Sequence, residues 1–405
     1  MARRNTGKRM RHGVLSLCLL MGLVGCQRPS APLDHDAYVW QRVWTPAVNQ
    51  AMRESAGVIH EWRVLAAQTD TQGHLQRFSP DRPALLASGR PVVLVVRIDG
   101  QLAHWDEAAL LRDTLTLWHD WQASGMPLAG LEIDHDCASA RLPAYADFLA
   151  QLRAALPPKT MLSITALPTW MQSASLRQVL AKVDQSVLQV HAVRDPRAGL
   201  FDAALALHWV EDYAGRSDKP FRVALPDYGS RVSWDAQGRL ADVESEAVTL
   251  DFSADAHELL AQPQVIADFI RTLQRDPPPH LQGIAWFRLP TTQDLRAWSL
   301  PTWLAVIRGE SLHTTLQADV RHSGVAGTFD VLLRNNGTID AMLPLRVTLP
   351  PGCTMADGVN GYRLQRGDHA VSLQRLQPGL LRAHHQRTIG WLRCPIAKGA
   401  LHVES

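Results

Sequence analysis

The sequence predicts an α/β fold, a closed (β/α)8 barrel of the TIM type, followed by a C-terminal antiparallel β-sandwich. Three observations point there. Between residues 35 and 309, eight strand-like apolar runs alternate with amphipathic helical stretches, the pattern of βαβ units on a parallel sheet. Eight units in about 275 residues match the size of a closed barrel, typically about 250. After Gly309 no helical period is visible, and short alternating runs continue to residue 405. An open doubly wound sheet is the alternative, but no Gly-x-Gly-x-x-Gly follows a strand and the unit count favours closure.

The expected barrel strands are Ala37–Trp44, Val58–Leu65, Val92–Ile98, Leu131–Asp136, Met161–Leu167, Val187–Val193, Phe221–Leu225 and Ile284–Leu289. Between them run helices such as Glu107–Ala123, Pro143–Ala155, Leu176–Val183, Ala203–Tyr213 and Gln264–Arg275. On the first of these, Leu110, Leu111, Leu115 and Trp118 recur at helical spacing and are expected to pack inward. Residues 231–246 contain Asp235-Ala236-Gln237-Gly238 between short alternating runs and read as a β-hairpin inserted after the seventh strand. The sandwich, residues 310–405, is read from Thr315–His322, Thr328–Leu333, Leu345–Leu349, Val371–Leu376 and Thr388–Arg393. Turns at Asn335-Asn336-Gly337 and Pro350-Pro351-Gly352 interrupt them.

With 46% hydrophobic and 20% charged residues in 405, the chain is neither disordered, nor a fibrous repeat, nor a polytopic membrane protein. Its formal charge of +2 conceals an asymmetry. Residues 1–25 hold Arg3, Arg4, Lys8, Arg9 and Arg11 and no acid; removing these five leaves 36 basic against 39 acidic side chains. No basic footprint for nucleic acid survives. The basic start and the apolar run Val14–Val24, too short to span a bilayer, read as an export signal over residues 1–25. Leu23-Val24-Gly25-Cys26 resembles the bacterial lipobox, which implies cleavage before Cys26 and its acylation. Residues 26–34 then form a tether. The expected location is the cell envelope, lipid-anchored, at the outer membrane facing the periplasm in a Gram-negative cell.

Export sets an oxidising environment for the remaining cysteines, Cys137, Cys353 and Cys394. Cys353 and Cys394 share the C-terminal segment and are candidates for a disulfide; two buried free thiols are the alternative. No spacing of Cys, His or acidic residues marks a metal site, and no cofactor motif occurs.

Chemistry concentrates in Gly130-Leu131-Glu132-Ile133-Asp134-His135-Asp136. Alternate residues of a strand share a face, so Glu132, Asp134 and Asp136 point one way while Leu131, Ile133 and His135 point the other. In a parallel barrel the acids then line the interior, near the C-terminal strand edge where barrel active sites sit. Like charges roughly 6–7 Å apart in a partly enclosed site raise at least one pKa. That arrangement supplies a protonated acid beside an ionised partner, as glycosidic cleavage requires. Asp136, Asp134 and Glu132 are therefore the catalytic candidates. Glu132 has a structural alternative, an ion pair with Arg97 or Arg288.

In this frame the chain resembles family-18 glycoside hydrolases, the chitinase type, which carry Asp-Gly-x-Asp-x-Asp-x-Glu at the end of barrel strand four. Ala129-Gly130-Leu131-Glu132-Ile133-Asp134-His135-Asp136 matches it loosely. Val92–Gly100 is similar to the third strand of that family, and Leu225-Pro226-Asp227-Tyr228-Gly229 to its Pro-Phe-Tyr-Gly segment. Trp286 falls where a strand-eight Trp floors the sugar subsite. Ala129 replaces the first motif Asp, Asp136 the terminal Glu, and Gln189-Val190-His191 stands where that family shows Tyr-Asp. The whole architecture more closely resembles a family of uncharacterised bacterial lipoproteins, a domain of unknown function with a glycosidase-like barrel.

Substrate-binding candidates around the mouth are Trp286, Tyr228, Asp227, Trp40, Arg288, Asp99 and His191, with Thr165 and Trp170 after strand five. Thirteen Trp against five Tyr favour a carbohydrate ligand, because indoles stack on the apolar faces of sugars. Three functions are compatible with these residues: a glycoside hydrolase on an extracytoplasmic polysaccharide, a non-catalytic glycan-binding pseudoenzyme, and an envelope assembly scaffold. The expected partners are a polysaccharide or oligosaccharide and the membrane, reached through the lipid anchor.

Overall fold

The structure, a computed structural model, describes Met1 and residues 32–102, 105–191, 199–234, 240–244, 256–367, 370–394 and 401–404. The expected signal, the acylation site Cys26 and most of the tether lie outside the described residues. No helix among the described residues is long and apolar enough to cross a membrane.

Eight strands close a parallel barrel: β1 Asp34–Val39, β2 Trp62–Thr69, β3 Val92–Ile98, β4 Leu128–His135, β5 Met161–Ala166, β6 Gln185–Gln189, β7 Phe221–Pro226 and β8 Leu281–Phe287. Each pairs with the next in parallel, and β1 pairs with both β2 and β8, which shuts the ring. Around it run α1 Pro46–Ser55, α2 Arg82–Ala87, α3 Glu107–Ala123, α4 Leu142–Ala155, α5 Leu176–Leu180, α6 Ala203–Ala214, α7 Pro263–Arg275 and α8 Leu300–Ile307. Helix starts follow local chemistry. Asp81, Asp106, Asp202 and Ser299 accept first-turn backbone N–H groups, while Pro46, Pro263 and Pro301 sit in first turns that need no donor there.

Most expected strands lie within a few residues of the observed ones, and β1 is the main correction. It begins at Asp34 and ends at Val39, so Trp40 to Trp44 are loop, turning toward Pro46 at the head of α1. Likewise β2 runs four residues later than expected. A short strand Leu75–Arg77 adds antiparallel to β2. After β7, Gly229–Trp234 pairs with Leu240–Glu244 as the insertion predicts, and Ala256–Leu260 completes a three-stranded antiparallel sheet; the turn at 235–239 lies outside the described residues.

Alternation divides the barrel residues into two cores. Outward-facing Val64, Leu94, Leu131, Ile133, Ile164, Leu188, Val223 and Ile284 pack under the helices with Leu110, Phe148, Leu149, Val210 and Ile270. Fully burying one such aliphatic side chain contributes about 1.5–3 kcal/mol. Inside the ring, Tyr38, Leu65, Val95, Val187, Ala224 and Ala285 fill the middle, with Phe287 packed against them. Below them, at the base, Arg63 joins Asp36 and Glu132, and Arg222 reaches Asp36. A Cβ at Gly283 would collide with the Arg222 guanidinium, so that glycine makes room for the buried charge.

The C-terminal region is antiparallel throughout. One four-stranded sheet takes Leu316–His322, Phe329–Asn335, Gln386–Arg393 and Met355–Gly358 in spatial order; the other takes Tyr362–Arg366, Val371–Arg375, Arg346–Thr348 and His402–Glu404. Val331, Leu333, Val347, Leu373, Ile389 and Leu392 form their shared core. Cys353 and Cys394 are joined as a disulfide spanning 41 residues. Asp340 fastens this region to the barrel: it accepts from Ser299 Oγ at 2.6 Å and Ser299 N at 2.8 Å, while its own N–H donates to Thr302 Oγ1. Arg382 adds donors to Asp340 and to the Asp294 and Ala297 carbonyls of the β8–α8 loop.

Candidate functional site

The uppermost inward residues of the strands define the mouth. Trp40 follows β1, Arg97 comes from β3, Asp134 from β4, Thr165 from β5, Gln189 and His191 from β6 and its end, and Phe287 from β8; with Tyr38 and Ala224 they line a cavity of about 150 Å³. These positions meet because alternation points them inward and the parallel ring brings all C-terminal strand ends to one rim.

Asp134 and Asp136 share the Arg97 guanidinium. Its Nη1 lies 3.1 Å from Asp134 Oδ2 and its Nη2 3.7 Å from Asp136 Oδ2. Thr165 Oγ1 donates to Asp134 Oδ1 at 2.6 Å, and Gln189 Nε2 to Asp136 Oδ1 at 3.1 Å. The Asp134 side chain is 4% exposed and that of Asp136 33%, so one acid is sealed and its partner opens to solvent. Burial, reinforced by the Asp136 charge, pushes Asp134 up to about 6 against the opposing pull of Arg97 and Thr165. The β3–α3 loop also crowds this corner. A Cβ on Gly100 would collide with the Asp136 carbonyl oxygen.

Glu132 lies deeper and is fully buried. It accepts from Tyr38 Oη at 2.6 Å and Ser163 Oγ at 2.7 Å, and pairs with Arg63. Its ion-pair partner is thus Arg63, not Arg97 or Arg288. Three donors hold this carboxylate beneath the cavity, which corrects the expectation that it shares catalysis at the mouth.

Trp40 and His191 reach the cavity. Arg97 sits 5.7 Å over the Trp40 ring, and the ring meets Phe287 edge-on at 5.1 Å. His191 stacks on Phe287 and turns Nδ1 toward the Ala224 carbonyl at 3.4 Å; burial lowers it to about 4, so it is neutral at pH 7. Trp286 does not face the mouth. It is fully buried on the outer side of β8, donates to His35 Nδ1 at 3.0 Å and packs with Trp298 and Trp303. Phe287, one residue on, takes the inward position, since adjacent strand residues face opposite ways. The peptide after it, Phe287–Arg288, is cis.

The other candidates stand outside the cavity wall. Tyr228 meets His191 edge-on at 6.2 Å and so backs the wall. Arg288 pairs with Asp294. Asp227 is fully buried, accepting from Arg288 N at 3.0 Å, and burial raises its pKa well above the carboxylate range. Asp99 caps its own loop, accepting from Gln101 N at 2.7 Å, and Trp170 is buried, donating to the Cys137 carbonyl. His135 faces outward as alternation predicts, its ring stacked on Trp105. Cys137 is a buried free thiol pushed up to about 11 by burial, which leaves it unreactive.

The sequence alone points to no ligand role for Arg97, Tyr38, Gln189 or Phe287, which line the cavity. A signal existed for Arg97, a lone charge in the apolar run Val92–Ile98 on its inward register. Phe287 is recoverable from the length of β8 and its phase.

A family model described as a domain of unknown function, DUF3142, matches residues 88–292, and a second, DUF8456, also a domain of unknown function, matches residues 318–395. A search of curated proteins returns no match. Among solved structures, the spore cortex-lytic enzyme SleL of Bacillus megaterium is 14% identical, with 70% of this chain and 75% of that one covered at a TM-score of 0.50. A chitinase from Chromobacterium violaceum is 13% identical, covering 68% and 98%, at 0.49. A class V chitinase from Pseudomonas fluorescens is also 13% identical, covering 68% and 99%, at 0.45. At 14% identity the likeness to SleL is one of fold alone.

Proposed function

Since the chain belongs to the DUF3142 family, which is defined by its domain and not by a reaction, we propose from the site itself that the barrel mouth is glycoside-hydrolase-like and acts on an extracytoplasmic polysaccharide. The supporting observation is the Asp134–Asp136 pair on one guanidinium at the C-terminal end of the strands. A proton retained up to about pH 6 is available to a glycosidic oxygen presented at the open side, where Asp136 stands. Trp40 and Phe287 supply the apolar faces that a pyranose ring stacks on, and Gln189 supplies a neutral donor. In this reading Asp134 holds the proton, and Asp136, at the open side, takes it up and passes it to the leaving oxygen. Glu132 anchors Tyr38 beneath them.

One observation favours a second reading, a glycan receptor without turnover. Arg97 bridges both carboxylates and lies over Trp40, so it neutralises the acids and covers the ring on which a sugar would stack. An oligosaccharide array probed with the full chain in detergent, followed by product analysis of each hit, separates the two. The hydrolase reading expects new reducing ends from the wild type, and retained binding with at least a hundredfold less product from Asp136→Asn. Binding without product at any incubation time assigns the receptor. No glycan bound at all removes both.

The proposal includes export and acylation at Cys26, supported by the basic start, the short apolar run and Leu23-Val24-Gly25-Cys26. The Cys353–Cys394 disulfide suits an oxidising compartment. A Cys26→Ala variant that still sediments with membranes and still takes up a fatty-acid label would refute it.

A further inference from the structure

At the base of the barrel, opposite the mouth, a second group of ionisable side chains converges. Asp36 is fully buried inside β1, and His60 and Glu61 occupy the loop that enters β2. One ligand atom from each, a carboxylate oxygen of Asp36 and of Glu61 and a ring nitrogen of His60, lies within 4.8 Å of the other two. Asp36 Oδ2 is occupied, by Arg63 Nε at 3.0 Å and Arg222 Nε at 2.9 Å. Its Oδ1 is buried without a hydrogen-bond partner and looks toward His60 Nδ1, 3.5 Å away. A 3.5 Å ion-pair contact with His60 is all that meets this buried oxygen. Among the described residues the carboxylates of Asp34, Asp36 and Glu132 pair with two guanidiniums, Arg63 and Arg222, and Glu61 and His60 stand against Asp36.

We propose that Asp36, His60 and Glu61 bind a divalent transition-metal ion, zinc by ligand class, at the base of the barrel. One imidazole nitrogen and two carboxylate oxygens form a donor set that zinc accepts at roughly 2.0–2.2 Å, with water in the fourth position. Calcium and magnesium instead prefer all-oxygen shells of higher coordination number. The ligand atoms must draw together by about an ångström to reach zinc geometry. His60, with a side chain 47% exposed, and half-buried Glu61 can move, while Asp36 is pinned by its arginines on the other oxygen. Such pairing of the outer oxygen is how second-shell partners orient a ligating carboxylate. The ion ties the loop before β2 to β1 at the base of the barrel, separate from the mouth. This site stands independently of the carbohydrate reading.

The test uses the full chain, without a polyhistidine tag, stripped with EDTA and dialysed. Titration with zinc chloride by calorimetry, with elemental analysis of the dialysed product, is expected to show one zinc per chain, and zinc is expected to raise the thermal midpoint by several degrees. The double variant His60→Ala/Glu61→Gln, altered on the loop and not in the core, should fold, bind no zinc and lose the midpoint shift. Calcium chloride should produce no shift in either protein. Absence of zinc uptake by the wild type, uptake that persists in the double variant, or an equal response to calcium would each overturn the assignment.

Discussion

Asp134 on β4 and Asp136 just past its end share one arginine, yet one is sealed under Thr165 and Arg97 while the other opens to solvent. That difference is testable without a ligand. Folding raises the Asp134 pKa from 3.8 to about 6, so the folded state favours its protonated form. Its stabilising contribution is complete below about pH 4 and is lost as pH rises through about 6. Urea unfolding of the wild type, compared with Asp134→Asn at each pH, should show the wild type losing on the order of 2–3 kcal/mol relative to the variant between pH 4 and 7. Parallel pH curves would mean that burial does not hold a proton on this residue. The two aromatic residues of β8 give a second contrast. Trp286→Ala empties a packed site and should cost about 3–5 kcal/mol of stability with glycan affinity intact in the folded fraction. Phe287→Ala removes a cavity wall and should weaken glycan binding at least tenfold, with the smaller loss of stability.

At the scale of elements, phase mattered more than position. The pattern Glu132-Ile133-Asp134-His135-Asp136 reports which side chains share a face, and β4 places Glu132 and Asp134 inward as alternation requires, with Asp136 one residue past its end. On β8 the family likeness pointed to Trp286, but β8 presents Phe287 to the mouth because its pairing with β7 sets Trp286 opposite Leu225 on the outer layer. Register is a property of two strands, so a single run of residues does not contain it. The sandwich depends on another long-range link. Its sheets are short, and the Cys353–Cys394 bridge closes a 41-residue separation. Reduction, or Cys353→Ser with Cys394→Ser, should lower stability by about 3–4 kcal/mol through a less restricted unfolded chain. Calorimetry with and without a reductant measures it; an unchanged midpoint would show that the bridge contributes nothing.

For the whole molecule, part-buried polar contacts centred on Asp340 join the barrel and the sandwich among the described residues. Ser299 at the head of α8, Thr302 within it, and Ala383 all bond this one residue, and Arg382 spans from it to the β8–α8 loop. Replacing Asp340 by Ala keeps the backbone bond to Thr302 but removes the carboxylate acceptor of Ser299 and of the Ala383 N–H, at a cost of about 1–3 kcal/mol for each group left unmet. The expected result is two separated unfolding transitions in place of one, with faster proteolysis between residues 300 and 340. A single unshifted transition would show that the two parts do not depend on this junction.

Periodicity and composition by themselves determined that eight β/α units precede an antiparallel region, and that three acids share one strand face, because both are local consequences of where apolar residues recur. Residues 40–44 look strand-like for the same reason, through Trp40, Val43 and Trp44, while the structure ends β1 at Val39 and turns toward Pro46 at the head of α1. Only the tertiary structure decided which carboxylate is buried, that Arg63 and not Arg97 neutralises Glu132, and that Arg97 bridges the pair at the mouth. Desolvation and ion pairing depend on side chains brought together from strands far apart in sequence, and the closed ring is what sets those distances.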